Sequence, residues 1–260
     1  EVSIYEVSPR DGLQNETAMI PIEGKRRLIE ALVTAGLKRL EITSFVSPKW
    51  IPQLADAEEL AKSLTPPPGV TYAALCPNAR GLERALGAGV KEVAVFLSSS
   101  ETHNKMNINK TIADTLSVFE EIVPPAREAG VTVRAYLSTV WGCPYEGPVD
   151  AQKALGIAQR LLELGCYQVS IADTIGVGTP RQTSEIVKRF LGALPPERAE
   201  HLLDHRVPLA VLQRRPQRLQ EHPPAQRERR PHPDRRRAPR LAAGRVDDVA
   251  APPPAPFTRP

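Results

Sequence analysis

The sequence predicts an α/β chain of the (β/α)8 TIM-barrel type, with about six βα units recognisable and strands seven and eight not recognisable. Three observations carry this. A glycine preceded by Ala, Leu or Pro stands before a β-branched run five times in the first two hundred residues, at Gly36, Gly69, Gly89, Gly130 and Gly165. Most of these read as helix C-caps handing over to a strand. The segments between them carry apolar residues at helical spacing. The strands themselves are short and nearly all apolar, as strands buried on both faces must be. Strand and helix in alternation build a parallel sheet of right-handed βα units.

The elements follow in order. A first strand, Val2 to Val7, ends in Pro9-Arg10-Asp11-Gly12, where Gly12 is expected to permit a tight exit. Leu28, Ile29, Leu32 and Val33 mark a helix, and after Gly36 the run Leu40-Glu41-Ile42 forms strand two, closed by Thr43 and Ser44. Strand three is Val70 to Leu75, followed by Pro77 and Asn78; strand four is Val93 to Leu97, followed by Ser98 to Glu101. His103 and Asn104 fall in what reads as an exposed polar loop. A helix over Ile112, Leu116, Phe119 and Val123 leads to strand five, Val131 to Leu137, carrying Tyr136 and ending on Ser138. A helix over Leu155, Ala158, Leu161 and Leu162 leads to strand six, Val169 to Ala172, with Ser170 inside it and Asp173-Thr174 just beyond.

The polar residues thus gather at strand C-termini. In a barrel of this type those ends converge on one face, so groups distant in sequence share one site. Arg10 and Asp11 suit an oxyanion over a metal: Asp11 is a hard-oxygen ligand, and Arg10 can neutralise an enolate or carboxylate. An Arg-Asp-Gly turn by itself is more often a surface salt bridge. Its company at the other strand ends favours a site.

Charge is divided along the chain. Residues 1–200 hold 21 Lys+Arg against 24 Asp+Glu, net −3, whereas residues 201–260 hold 13 against 6, net +7, giving the overall +4. Cys76, Cys143 and Cys166 are spaced too irregularly for a zinc site, and an odd count without a secretory signal points to reduced thiols in the cytoplasm. No apolar run approaches the ~20 residues of a membrane span. The chain opens on Glu1 rather than Met, so its natural start is expected upstream.

Four stretches carry a resemblance: Glu6 to Glu16 (EVSPRDGLQNE), Thr43 to Gln53 (TSFVSPKWIPQ), Gly142 to Gly147 (GCPYEG) and Ala172 to Pro180 (ADTIGVGTP). Over residues 1 to about 198 the chain resembles the hydroxymethylglutaryl-CoA lyases. The Arg-Asp pair alone is shared with a wider superfamily of metal-dependent barrel lyases and acyl transferases. The second and third stretches narrow the resemblance to the lyases.

That resemblance implies a retro-Claisen cleavage of 3-hydroxy-3-methylglutaryl-CoA to acetoacetate and acetyl-CoA, a step of leucine breakdown. It implies a divalent metal cofactor, Mg²⁺ or Mn²⁺, with Asp11 as ligand, Arg10 stabilising the thioester enolate, and Glu41 and Asp173 as required acids, Asp173 being a candidate proton acceptor. Tyr136, Ser138, Ser170 and Thr174 would line the substrate. The partner implied is an acyl-CoA, with a homodimer allowed and no membrane. Cys143 reads as structural, because the family's catalytic cysteine belongs to a later loop. A related Claisen-type synthase or aldolase of the same superfamily is the alternative enzyme.

The pattern breaks at the end. The family's His-x-His pair would fall on Leu202 and Asp204, flanked by His201 and His205, and the catalytic cysteine loop and metal-binding Asn are not found. Residues 201–260 contain 12 Pro and 13 Arg but one Gly, Gly244. Such text cannot supply two buried strands. The chain is therefore expected to divide into an incomplete barrel domain, 1–198, and an Arg/Pro/Ala-rich segment, 199–260, disordered or produced by a frameshift near 199–203, with lyase activity impaired. A non-enzymatic remnant with a basic binding tail is the other class; the tail lacks aromatic interleaving, which argues against nucleic acid.

Overall fold

In the computed structural model the described residues are 4–194. The tail, the 198/199 boundary, the frameshift and the positions of Leu202 and Asp204 lie outside them. Six parallel strands stand in sequence order: β1 (Tyr5–Glu6), β2 (Arg39–Ser44), β3 (Thr71–Leu75), β4 (Glu92–Ser98), β5 (Thr132–Ser138) and β8 (Gln168–Ile171). Between β5 and β8 a short antiparallel hairpin, β6 (Gly142–Cys143) and β7 (Gly147–Pro148), folds the Gly-Cys-Pro-Tyr-Glu-Gly stretch into a loop. All six strands forecast from sequence are present, the first shorter within the described residues than its apolar run. The recurring glycines take positive φ, from 72° at Gly130 to 110° at Gly165, the C-cap of the helix Ala151–Leu164.

The sheet is curled. In a flat sheet β2 and β5, with two strands between them, would lie about 14 Å apart, yet Tyr136 on β5 donates to Glu41 on β2 at 3.0 Å. Likewise the Arg134 guanidinium of β5 sits 4.2 Å from the Tyr5 ring of β1. Alternation sorts the side chains. On β5, Arg134 and Tyr136 face these inner partners, while Val133, Ala135 and Leu137 join the apolar core.

That core lies between the sheet's outer face and the helices α1 (Ile22–Thr34), α2 (Ala57–Ser63), α3 (Ala79–Gly87), α4 (Glu101–Ile108), α5 (Ile112–Glu128), α6 (Ala151–Leu164) and α7 (Pro180–Ala193). Ile29, Leu60, Phe119, Leu161 and Phe190 are among their fully buried contributions. Side-chain caps set the helix starts: Asn78 on Gly81, Ser100 on His103, Asp150 on Gln152, and capping boxes at Thr111/Asp114 and Thr179/Gln182. Helix α5 runs on through Pro124 and Pro125, beyond the periodic signal, because Val123 and Ala126 are buried.

His103 and Asn104 correct an expectation. They lie in α4 and not in a loop, and Asn104 is buried at 1% exposure, accepting from Ser98 N–H and donating to Lys110 O and Thr115 Oγ1. The chain leaves β1 through a tight π-helical turn, Ser8–Gly12, in which Gly12 does not take positive φ. No described helix is long and apolar enough to cross a membrane.

Candidate active site

The site starts from the turn after β1. Ser8 N–H donates to Glu6 Oε1, and the N–H groups of Arg10 and Asp11 both reach Val7 O, at 3.0 and 2.7 Å. This winding places Arg10 inward and Asp11 outward: their side chains are 12% and 53% exposed. Arg10 Nε donates to Glu41 Oε1 at 2.5 Å and its Nη1 to Asp11 Oδ1 at 2.7 Å. Gln14 donates to the same Asp11 oxygen at 3.0 Å.

Glu41 is completely buried, and both its oxygens are engaged, Oε1 by Arg10 and Oε2 by Tyr136. A buried carboxylate survives only when paired and hydrogen-bonded in this way. Burial opposes the charge on Arg10, but Glu41 and then Asp11 outweigh it and hold the guanidinium above its ordinary range. Burial, with the charge of Glu41 next, pushes the Tyr136 phenol far up, so it is a donor at any working pH.

Register brings Ser170 beside Tyr136, and Ser138 beside Ser98. A bulge between Glu41 and Thr43 re-phases the end of β2, pairing Ser44 with Leu75. Asp173 and Thr174 follow β8. Asp173 accepts from Val177 N–H (Oδ1, 3.1 Å) and Gly178 N–H (Oδ2, 2.8 Å), and Thr174 Oγ1 accepts from Thr139 N–H at 2.8 Å. Arg10, Asp11, Glu41 and Tyr136 therefore form one bonded group, while the bonds of Asp173 and Thr174 run within and between the loops after β5 and β8.

Sequence reasoning missed the layer beneath. Arg39 and Arg134 flank the Tyr5 ring at 4.9 and 4.2 Å, Tyr5 donates to Glu92 Oε1 at 2.9 Å, and Arg134 also lies 5.2 Å from the Tyr136 ring and donates to Gln168. The available signal was charged residues at alternate positions of otherwise apolar strands. Cys143 is structural, as expected: it is 2% exposed, and its sulfur accepts from Ser100 Oγ at 2.9 Å and from the N–H groups of Tyr145 and Glu146.

A bound Mg²⁺ or Mn²⁺ needs about six ligands, mostly oxygens. Among the described residues no three His, Cys, Asp or Glu side chains gather to hold an ion. Asp11 offers one accessible carboxylate, and Glu41 is taken by Arg10 and Tyr136. The described residues alone do not make the centre.

The family model described as HMGL-like matches residues 1–204. The 3-hydroxy-3-isohexenylglutaryl-CoA/hydroxymethylglutaryl-CoA lyase of Pseudomonas aeruginosa is 48% identical over 205 residues, covering 78% of this chain and 68% of the relative. The crystal structure of Bacillus subtilis HMG-CoA lyase superposes with a TM-score of 0.73 at 48% identity, covering 75% of this chain and 65% of that one. An Acinetobacter baumannii HMG-CoA lyase in complex with coenzyme A and 3-methylmalate gives 0.71 at 38%, covering 76% and 64%. The chain thus spans about two thirds of the length of these relatives. With the fold and this similarity in agreement, the chain belongs to the HMGL-like family, that of the hydroxymethylglutaryl-CoA lyases.

Proposed function

We propose that this chain carries the catalytic half of a hydroxymethylglutaryl-CoA lyase, cleaving 3-hydroxy-3-methylglutaryl-CoA to acetoacetate and acetyl-CoA. The observation that carries the reading is the grip of Arg10 and Tyr136 on the two oxygens of buried Glu41. In a retro-Claisen step the C3 hydroxyl loses its proton, its electrons form the ketone as the C2–C3 bond breaks, and the bonding pair moves into the thioester enolate, which then takes up a proton. Negative charge develops on the thioester oxygen, where a fixed positive group lowers the barrier most. Arg10 is such a group: Glu41 fixes its Nε edge, so it need not reorganise as charge develops.

Asp173 is the proposed proton acceptor for the C3 hydroxyl, with Tyr136, Ser138, Ser170 and Thr174 as lining groups. A divalent metal, when bound, would supply Lewis-acid polarisation to the substrate hydroxyl, and Asp11 would be one of the residues holding it. The three free, buried cysteines suit a reducing, cytoplasmic setting.

The test is acetyl-CoA release by the full chain, with and without added Mg²⁺, from the methyl substrate, which also yields acetoacetate, and from the isohexenyl analogue in the name of the Pseudomonas relative, which yields the corresponding longer 3-oxo acid. Release that depends on Arg10 supports the reading. A folded chain that releases none from either thioester overturns it.

A further inference from the structure

Thr139, the first residue after β5, is buried at 0% exposure and has φ 60°. Left-handed backbone is unfavourable for a β-branched residue and persists only where the surroundings over-determine it. Asn109 is the other described non-glycine residue with positive φ, and it merely ends helix α4. Thr139 ends no helix.

Its surroundings are a buried set of hydroxyls. Thr139 Oγ1 donates to Ser138 O at 2.7 Å and lies 2.6 Å from Ser98 Oγ and 3.3 Å from Ser99 Oγ. With its one proton spent on the carbonyl, it accepts from Ser98. Ser99 binds the same carbonyl through both its N–H and its hydroxyl, each at 3.0 Å. The ends of β4 and β5 are thereby locked, the Thr139 N–H meets Thr174 Oγ1, and the left-handed turn carries the next N–H, that of Val140, to Ala172 O at 3.2 Å.

The second loop is closed on itself by Asp173 and packed tightly on the first. A Cβ at Gly178 would come within 2.6 Å of Trp141, and one at Gly142 within 2.9 Å of Val177. The Thr139–Thr174 bond joins the hydroxyl set to these packed surfaces, beside the Val140–Ala172 backbone bond. Accepting from Thr139 also orients Thr174, whose own O–H must then point away from that donor.

We propose that Thr139 is a positioning residue: held by the buried hydroxyls, it presents its N–H to Thr174, and its left-handed turn carries the next peptide onto Ala172, which together set the placement of Thr174 and Asp173 relative to Tyr136 and Ser138. Calling those two residues site groups rests on the proposed lyase function; the coupling of the loops does not.

Amide hydrogen exchange of the full chain, read by mass spectrometry, tests it. Thr174→Val removes the acceptor at an exposed position, and Thr174→Ser retains it. The expected result is exchange about ten-fold faster in peptides spanning 139–147 for the valine variant, unchanged exchange in β4, and wild-type protection for the serine variant. Unchanged protection in the valine variant, equal loss in the serine variant, or an equal rise across β4 each overturns the proposal. Alongside, the valine variant should lower kcat more than it raises KM for acetoacetate release, with rescue by serine. If the wild-type chain releases no acetoacetate, the lyase reading falls while the exchange result still decides the positioning.

Discussion

The Tyr136 hydroxyl donates to Glu41 Oε2 at 3.0 Å across the inside of the curled sheet, although two strands separate theirs. Curvature makes this bond, so the bond reports on curvature. Tyr136→Phe leaves the ring against Arg134 but strips one donor from a buried carboxylate. We expect about 1–3 kcal/mol lower stability, measured by urea unfolding. Glu41→Gln, which leaves Arg10 without its buried counter-charge, should cost more, about 3–5 kcal/mol. A smaller loss for Glu41→Gln than for Tyr136→Phe would contradict the pairing described.

The extent to which this was legible beforehand follows from what each signal encodes. The glycine followed by a β-branched run encodes a chain reversal into a strand, and it located strands two to six to within a few residues; the first was read from its apolar run. Strand-end polarity located Arg10, Asp11, Glu41 and Tyr136, because parallel βα order brings those ends to one face. Nothing in composition encodes the left-handed backbone of Thr139 or the hairpin that buries Cys143. His103 and Asn104 were misread because polar residues opening a helix resemble a loop until the Ser100 cap and the burial of Asn104 are seen. The ring of Tyr5, Arg39, Glu92 and Arg134 escaped for the opposite reason: charges inside apolar strands look like interruptions until cross-sheet partners appear.

His103 gives a pH dependence. Its Nδ1 is buried without a hydrogen-bond partner among the described residues, and burial lowers its pKa below the ordinary histidine range. Between the lowered folded value and the ordinary value of about 6.5, the unfolded chain binds more protons than the folded one. Stability is therefore complete above that ordinary value and falls as pH drops through the window beneath it. His103→Gln should flatten this slope in urea titrations run downward from about pH 6.5. An identical slope in the variant would rule His103 out as the cause.

The thiols should be inert in the folded chain. Burial pushes the Cys166 thiol up to about 12, and burial followed by the charge of Glu41 pushes up Cys76. Alkylation needs the thiolate and access to it. With iodoacetamide at pH 8, labelling of both should be at least about a hundred-fold slower than in denaturant. Rapid native labelling of Cys76 or Cys166 would show that the helix layer opens far more readily than its packing implies.

The loop-closing bonds of Asp173 can be separated from its proposed role as proton acceptor. Its oxygens accept the N–H groups of Val177 and Gly178, so Asp173→Asn turns an amide NH₂ toward one of those donors and disturbs the loop as well as removing an acid. Loss of activity in that variant alone therefore says nothing about proton transfer. Gly178→Ala supplies the missing arm: its Cβ would lie 2.9 Å from Asp173 Oδ2 and 2.6 Å from Trp141, displacing the loop while leaving the carboxylate chemically intact. If Asp173 accepts the substrate's proton, Asp173→Asn should reduce acetoacetate release by about two orders of magnitude or more, in the range of general-base catalysis. Gly178→Ala should then reduce it about ten-fold, with both variants equally susceptible to proteolysis within 173–178. Equal losses of activity in the two would make loop geometry the whole contribution of Asp173, and the proton acceptor would have to be sought elsewhere.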